Sequence, residues 1–354
     1  MRRCLSPFLF PAAARRRVSL PVSTVAPELL DVKGLKVHFP VASGILRRTT
    51  GHVRAVDGIS FSIGRGRTLG LVGESGSGKT TTGRALLRLV DITSGTVTME
   101  GVDVTAARSR ELRQIRPRMQ MIFQDPNSCL NPRLCVADII AEPLDENGQL
   151  TRRERTRAVG QLMDAVGLLR GWADRFPHEF SGGQCQRIGI ARALALKPRL
   201  IVCDEPIASL DFSVQAQIVN LLKDLQEEHS LAYLFISHDL GMIRHMADDV
   251  AVMYLGRIVE HAPVDTLFDA PMHPYTQALM SAAPSMPGTP RRRRVVLEGE
   301  SPSASESLAG CVFRSRCPMA TALCGHTAPS LETVATDHRV ACHLHPPARE
   351  PHAS

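Results

Sequence analysis

The stretch GESGSGKT, from Gly73 to Thr80, fits the pattern G-x-x-x-x-G-K-T. The apolar run before it (68–72) is expected to form a short buried strand. Residues 81–90 after it are expected to form a helix whose apolar face holds Ala85, Leu86 and Leu89. This order brings backbone N–H groups and the positive end of a helix to one point. The stretch therefore predicts a site for the phosphates of a nucleoside triphosphate, rather than a glycine-rich turn without function.

Two side chains of this phosphate loop have specific expected roles. Lys79 would reach the β- and γ-phosphates, and the hydroxyl of Thr80 would bind Mg²⁺. The residues predicted to surround the nucleotide here are Gly73, Glu74, Ser75, Gly76, Ser77, Gly78, Lys79, Thr80 and Thr81.

A second apolar run, residues 199–203, ends in Asp204, Glu205 and Pro206. Such a run is typical of a parallel strand buried on both faces of a sheet. Asp204 is predicted to hold the magnesium ion through water, and Glu205 to polarise the water that attacks the γ-phosphate. The alternative interpretation is a strand-end acid that caps the following helix.

A third segment begins with Ser181, Gly182, Gly183 and Gln184 and continues into a predicted helix over residues 186–196. Together with the later Ala-Arg-Ala-Leu run at 191–194, it resembles the signature motif of ABC ATPases. The resemblance implies that these four residues cover the γ-phosphate of a nucleotide held by an opposing subunit. It therefore also implies ATP and Mg²⁺ as cofactors and a head-to-tail dimer with two composite sites.

Three further residues resemble elements of the same family and follow in the family's order. Gln124 resembles the Q-loop glutamine, which contacts magnesium and senses the membrane subunits. Asp211, after Ser209 and Leu210, resembles the D-loop acid. His238 follows another apolar strand and resembles the switch histidine, which contacts the γ-phosphate; a lone histidine in a structural role is the alternative.

The sequence departs from the family pattern at three points. Phe180 stands before the signature where leucine is commoner, and Cys185 stands where a charged or amide residue is usual. Ala208 and Ser209 are exchanged relative to the usual D-loop order. These departures bear on the rate and symmetry of hydrolysis rather than on the fold.

The resemblance implies an α/β fold: a P-loop ATPase with a RecA-like core, an antiparallel β subdomain and a helical subdomain that carries the signature. Residues 28–265 would form the nucleotide-binding domain, with the helical subdomain at about 126–180 and predicted helices over 136–141 and 152–169. Residues 1–27 would be a basic, disordered extension, and residues 266–354 a cysteine-bearing C-terminal extension.

The first predicted strand, from Leu29 to Phe39, alternates apolar and polar residues and is expected to bend at Gly34. In ABC ATPases an aromatic residue after this strand stacks on adenine, and Phe39 is the candidate. An ordinary core phenylalanine is the alternative. The segment from Pro40 to Val53 is interpreted as an insertion.

Charge and hydropathy exclude two broad classes of function. The net charge is +7, but residues 1–60 hold ten Lys/Arg and three Asp/Glu, so residues 61–354 are balanced. A neutral folded region is not the footprint of a nucleic-acid-binding protein. No apolar run approaches the roughly twenty residues needed to span a bilayer, so the chain is not predicted to form a pore.

Several stretches resemble the ATP-binding subunits of dipeptide/oligopeptide importers more specifically. They are residues 125–133, 139–144 and 273–279 and the cysteine-bearing tail. This resemblance implies a peripheral subunit at the cytoplasmic face of the inner membrane. Its partners would be a second, similar or identical ATPase, two transmembrane permeases and an extracytoplasmic solute-binding protein. Import of nickel or a glutathione-like solute stays open as an alternative, as does a soluble ABC protein that clamps nucleic acid or ribosomes.

Four of the nine cysteines, Cys311, Cys317, Cys324 and Cys342, fall in the last 44 residues. The odd total fits a reducing compartment, where disulfides are rare. No C-x₂-C pair is present, so the spacing is not typical of structural zinc. The corresponding cysteines bind a [4Fe-4S] cluster in some members of the resembled family. This resemblance implies such a cluster here, with zinc as the second choice and separate buried thiols as the alternative.

Overall fold

The computed structural model describes residues 28–43, 48–125, 129–148, 150–208, 210–282 and 309–346. The extension predicted for residues 1–27 and the D-loop residue Ser209 lie outside these ranges. The strands are β1 (Leu30–Ser43), β2 (Arg48–Ile63), β3 (Thr68–Val72), β4 (Ser94–Met99), β5 (Val102–Asp103), β6 (Met119–Ile122), β7 (Leu200–Asp204), β8 (Ala232–Ile236), β9 (Asp249–Tyr254), β10 (Arg257–Pro263), β11 (Glu332–Ala335) and β12 (His338–Val340). The α-helices are α1 (Lys79–Leu86), α2 (Ser109–Ile115), α3 (Val136–Asn147), α4 (Arg152–Ala165), α5 (Gly182–Leu194), α6 (Phe212–His229), α7 (Leu240–Met246), α8 (Val264–Asp269), α9 (Pro274–Ala282) and α10 (Ala322–His326).

The central sheet has the strand order β11-β12-β10-β9-β3-β8-β7-β6 in the described ranges. Strands β9, β3, β8, β7 and β6 are parallel, and every residue of β3, β7 and β8 is buried. Alternate side chains serve two hydrophobic cores: Tyr233 and Phe235 pack in one, Leu234 and Ile236 in the other. The predicted apolar strands before Gly73 and Asp204 are therefore confirmed. Their carboxyl ends meet at one edge of the sheet, where ligands bind in α/β folds.

A second, antiparallel sheet has the order β2-β1-β4-β5. Strand β1 bends as predicted, since Gly34 has a φ of +55° and the register with β2 shifts between Val32 and Leu35. The segment interpreted as an insertion, 40–53, is largely β structure: β1 runs on to Ser43 and β2 begins at Arg48, so most of it pairs as one long hairpin. Phe39 is 39% exposed on this hairpin, which rules out its alternative role as a core residue.

The helix after the phosphate loop is shorter than predicted. Helix α1 ends at Leu86, and Arg88 adopts a φ of +52°, a left-handed conformation that ends a helix. Ala85 and Leu86 are buried as expected, but Leu89 is 51% exposed and does not belong to the apolar face.

Helices α3, α4 and α5 pack together as a helical layer. The predicted helices at 136–141 and 152–169 correspond to α3 and α4, with ends that differ by up to six residues. Helix α5 begins four residues earlier than predicted because Ser181 caps it. Cys185 is fully buried and its Sγ lies 3.5 Å from the carbonyl oxygen of Pro177. The unusual cysteine thus faces the core of the layer, not a surface beside the signature.

The C-terminal segment, residues 309–346, packs on the central sheet. Strand β12 pairs with β10 and extends the sheet. The rings of Tyr254, Tyr275 and Phe313 lie 4.7 to 5.4 Å apart, centroid to centroid, and all three side chains are buried. Nearby, the fully buried carboxylate of Glu260 accepts a hydrogen bond from His338 Nε2 at 2.8 Å.

Candidate nucleotide-binding site

A cavity of about 620 Å³ lies at the carboxyl edge of the central sheet. Nine of the nineteen residues predicted for the nucleotide site line it: Ser75, Gly76, Gly78, Lys79, Thr80, Thr81, Gln124, Glu205 and His238. Two residues that sequence reasoning missed, Val53 and Ala55, line it as well. Val53 was missed because it ends the segment interpreted as an insertion, and Ala55 because no strand was predicted after that segment, although the apolar residues between Val53 and Ile63 would have indicated one.

The backbone of the phosphate loop requires glycine at two positions. Gly78 has a φ of +104°, and a Cβ there would meet the carbonyl oxygen of Ala55 at 2.0 Å. A Cβ on Gly73 would meet the carbonyl oxygen of Met253 at 2.1 Å. Gly78 is also the N-cap of α1 and supplies no side-chain cap. The first N–H groups of this helix are therefore left for a ligand, and the dipole favours an anion.

Lys79 is the buried cation of the cavity. Its Nζ donates hydrogen bonds of 2.8 Å to the carbonyl oxygens of Gly73 and Glu74. Burial lowers the pKa of Lys79, while the carboxylates of Glu205, Asp204 and Glu74 act in the opposite direction. The ammonium group of Lys79 is thus hydrogen-bonded to the loop backbone and lies beside the cavity.

Thr80 and Asp204 form a pair of hard oxygen donors. Thr80 Oγ1 donates a hydrogen bond of 2.8 Å to Asp204 Oδ1. Burial raises the pKa of Asp204, and the hydrogen bond from Thr80 and the charges of Arg84 and Lys79 partly offset this. A hydroxyl beside a carboxylate at the end of a buried strand fits the oxygen ligands that Mg²⁺ prefers.

Glu205 lies between Gln124 and His238 at the carboxyl edge of the central sheet. Its Oε2 accepts a hydrogen bond of 3.1 Å from Gln124 Nε2 and lies 3.3 Å from His238 Nδ1. Glu205 has a φ of +45°, which costs of order 1 kcal/mol or more for a residue with a side chain. Its N–H nevertheless bonds to the carbonyl oxygen of Ile236 at the end of β8. The fold therefore holds this carboxylate between the other two predicted catalytic residues.

The signature residues occupy a different place. Ser181, Gly182, Gly183 and Gln184 do not line the cavity. They open α5, where Ser181 Oγ accepts from the N–H of Gln184 and Gln184 Oε1 accepts from the N–H of Ser181 at 2.9 Å. Asp211 is the N-cap of α6, and Phe39 does not line the cavity but pairs in the hairpin with Val53, which does.

Glu74 also points away from the cavity. Its carboxylate accepts two hydrogen bonds from the guanidinium of Arg316, at 2.7 and 3.2 Å, and its N–H donates to Tyr275 Oη at 2.8 Å. The phosphate loop is therefore tied to α9 and to the C-terminal segment. Sequence reasoning missed Arg316 and Tyr275 as neighbours of the loop.

The four C-terminal cysteines are free thiols. Burial raises the pKa of Cys311, Cys317 and Cys342, and nearby cysteine thiolates add to each shift. The pKa of Cys324 is lowered, chiefly by its hydrogen bond with Thr321. The thiols are thus near enough to influence one another. However, no group of three or more His, Cys, Asp or Glu residues in the described ranges could hold a metal ion.

A larger groove of about 780 Å³ lies between the central sheet and the helical layer. Its walls come from the Arg113–Phe123 region on one side and from α3 and α5 on the other. The mixed lining includes Arg116, Phe123, Glu142 and Arg192. Phe123, which lines the groove, directly precedes Gln124, the residue that contacts Glu205. Among the described helices, none combines the length and the apolar character that crossing a bilayer requires.

Comparison with known proteins identifies two matching regions. The ABC transporter family model matches residues 56–208, and the model of the oligopeptide/dipeptide transporter C-terminal region matches residues 259–324. The oligopeptide transport ATP-binding protein AppF of Bacillus subtilis is 49% identical over 320 residues, which cover 90% of this chain and 97% of that protein. The putative oligopeptide transport ATP-binding protein YkfD of the same organism is 50% identical and covers 90% and 95%.

A solved structure with the same fold is the dimeric ATP-binding cassette MJ0796 in a post-hydrolysis state, bound to ADP and Pi. It is 26% identical, with a TM-score of 0.58, and the match covers 66% of this chain and 98% of that one.

Proposed function

Because the chain belongs to the ABC transporter family, in its oligopeptide/dipeptide branch, we propose that it is the ATP-hydrolysing subunit that energises a peptide importer. The observation that carries this proposal is the joining of two features in one chain. One is the cavity in which the phosphate loop faces Glu205, and the other is the C-terminal region that matches the oligopeptide/dipeptide family model. The names of the relatives at about 50% identity support the peptide class.

In the proposed chemistry, the loop amides and Lys79 bind the phosphates of ATP. Lys79 Nζ would exchange its backbone partners for phosphate oxygens, since its carbonyl acceptors lie in the same loop. Glu205 would orient and polarise the attacking water. Gln124 and His238 would hold its carboxylate, because both have a nitrogen near Oε2, and His238 would contact the γ-phosphate.

Thr80, Asp204 and Gln124 are the residues proposed to hold the magnesium ion of the nucleotide. The Thr80–Asp204 pair already places a hydroxyl and a carboxylate together. A bound Mg²⁺ supplies charge neutralisation for the phosphates. The raised pKa of Asp204 is consistent with a site that gains from a cation, since burial without one disfavours the carboxylate.

We further propose that two subunits complete each other's sites. Since the signature residues do not line the cavity of their own chain, they are available to a nucleotide bound elsewhere. The neighbouring Asp211 would lie at the same contact. The MJ0796 cassette is dimeric, which supports this arrangement for a similar fold. Phe39 is retained as the proposed adenine contact, because its strand partner Val53 lines the cavity.

The groove beside Phe123 is the proposed docking place for a membrane permease. Because Phe123 lines the groove and precedes Gln124 in the chain, movement of a docked helix against Phe123 would reach the carboxylate of Glu205 through Gln124. The complete assembly would comprise two ATPase subunits, two permeases and an extracytoplasmic binding protein, with this chain peripheral at the cytoplasmic face of the inner membrane. The proposed domain division stays at residues 28–265 and 266–354.

We also propose that a [4Fe-4S] cluster binds to four cysteines of the C-terminal segment: Cys311, Cys317, Cys324 and Cys342. The thiols as described do not form a metal-binding group, so a cluster would require their side chains to rearrange. Iron analysis of anaerobically purified protein tests it. About four irons per chain and broad absorption near 400 nm would support the cluster, and zinc would support the second choice. Absence of both metals would reject it.

The experiment for the main proposal is reconstitution with the permeases and binding protein encoded beside it. Peptide should stimulate ATP hydrolysis and enter proteoliposomes, whereas Ni²⁺ should do neither. Stimulation by nickel or by glutathione, but not by di- or oligopeptides, would assign a different solute.

A further inference from the structure

Glu74, the second residue of the phosphate loop, is held at three points. Its carboxylate accepts two hydrogen bonds from the guanidinium of Arg316, its N–H donates to Tyr275 Oη, and its carbonyl oxygen accepts from Lys79 Nζ at 2.8 Å. Two of these contacts come from parts of the chain about 200 and 242 residues away. One residue thus links the phosphate-binding lysine to the C-terminal region.

The Glu74–Arg316 ion pair can hold the phosphate loop in a fixed position against the C-terminal segment. The Arg316 side chain is 9% exposed, and the bidentate geometry fixes both distance and angle. An exposed pair would contribute little, but partial burial strengthens the interaction. An arginine guanidinium stays protonated in proteins, so the charge of Arg316 is available to this pair at every physiological pH.

Arg316 is itself held by a built structure. It ends the 3₁₀ turn Arg314–Arg316, and Arg314 Nη1 donates to the carbonyl oxygen of Gly325 at 2.8 Å. Phe313, just before this turn, packs against the rings of Tyr254 and Tyr275. The guanidinium is therefore presented to the loop by a folded segment and not by a free tail.

Tyr275 is positioned by the stretch His273-Pro274-Tyr275. The N–H of Tyr275 donates to His273 Nδ1 at 3.1 Å, and the N–H of His273 donates to Glu260 Oε2 at 3.0 Å. Burial lowers the pKa of His273 to about 4, so the ring is neutral and Nδ1 can accept. This chain of contacts fixes the ring whose hydroxyl meets the N–H of Glu74.

We propose that Arg316 and Tyr275 are positioning residues of the ATP site, which act through Glu74 to hold the phosphate loop in its binding conformation. The proposal rests on the proposed role of that loop. Neither residue lines the cavity, so neither is placed to touch a nucleotide bound in it. Without the contacts of Glu74 with Arg316 and Tyr275, nucleotide binding would have to order the phosphate loop, and this would lower the affinity. The groups that take part in hydrolysis would stay in place. Affinity should therefore change more than turnover.

The test is a double-mutant cycle on Glu74 and Arg316 in the full-length protein assembled with its partner subunits. Arg316→Gln should raise the Kd for ATP about tenfold, and kcat at saturating ATP should stay within about twofold of wild type. Glu74→Gln should raise Kd by a similar factor. The double variant should be no more than about threefold worse than either single one, because both substitutions remove the same tie. Tyr275→Phe should raise Kd by about threefold.

Arg339→Gln is the matched control. It removes a hydrogen bond of the C-terminal segment, between Arg339 Nη2 and His261 Nδ1 at 3.0 Å, that involves neither Glu74 nor Arg316. If it raises Kd as much as Arg316→Gln at equal thermal stability, the specific tie is refuted. Additive effects in the double variant, or a loss of kcat without a change in Kd, would refute it too. Failure of wild-type protein to bind ATP would instead refute the proposed function of the loop.

Discussion

Two helix starts in this protein are rich in glycine, and they differ in how their first N–H groups are satisfied. Helix α1 follows Gly78, which offers no side-chain cap, beside a cavity that contains Lys79. Helix α5 follows Ser181, whose hydroxyl and whose partner Gln184 close a reciprocal capping box. The first leaves its N–H groups open in a single chain, as the proposed phosphate site requires. The second is closed on itself, so the phosphate proposed to bind there would have to compete with the cap.

The largest expected effect separates binding from hydrolysis at the open site. Glu205→Gln should slow ATP turnover by at least about 100-fold while ATP binding survives, because it removes the carboxylate but keeps the size. Steady-state phosphate release together with nucleotide titration measures both. Near wild-type turnover would show that Glu205 does not polarise the attacking water.

The second prediction breaks the open site through its backbone. Gly78→Ala should raise the Kd for ATP by about 100-fold, since the added Cβ meets the carbonyl oxygen of Ala55 and the φ is unfavourable. Gly76→Ala is the matched control. Its φ is also positive, at +78°, but its Cβ would meet nothing within 4 Å. Equal affinities for the two variants would mean that close packing at Gly78 does not shape the site.

The third prediction concerns the closed site. Ser181→Ala should leave ATP binding by the isolated subunit unchanged and lower hydrolysis by the assembled complex by about tenfold, since one ligand of the partner's phosphate is lost. Thr151→Ala removes a comparable capping box with Glu154 at α4 in the same helical layer. Each of the two variants should lower the free energy of unfolding by about 1 kcal/mol. If Ser181→Ala lowers hydrolysis and Thr151→Ala does not, the loss comes from the role of Ser181 in the partner's site and not from the lost cap. Equal hydrolysis would leave Ser181 as a cap alone.

The smallest effect is expected at the base-binding side. Phe39→Ala should raise the Kd for ATP about fivefold through loss of stacking and leave the affinity for inorganic triphosphate unchanged. Phe176→Ala, which removes another exposed phenylalanine, provides the comparison. If Phe39→Ala does not alter ATP affinity, the adenine contact lies elsewhere on the hairpin.

Local pattern in the sequence predicted the phosphate loop and the strand ending at Asp204, and the resemblance to ABC ATPases added Gln124 and His238. The phosphate loop, the strand ending at Asp204 and the residues Gln124, Glu205 and His238 meet at one sheet edge, because parallel strands ending in polar residues must align there. The helix end at Leu86 and the long β1–β2 hairpin were missed, since a left-handed Arg88 and an unbroken pairing have weak local signals. The Arg316–Glu74 pair could not be predicted, because nothing local relates residues 242 positions apart.

The buried carboxylate of Glu260 sets how far the chain can be shortened. It accepts from His338 and from the N–H groups of Met272 and His273, while β12 covers the edge of β10. A stop codon before His338 would remove His338 and strand β12, leaving the carboxylate with one fewer donor and the edge of β10 uncovered. Uncovered edges recruit other chains. Nonsense alleles late in the gene should therefore yield insoluble protein, even though every residue that lines the nucleotide cavity would still be translated.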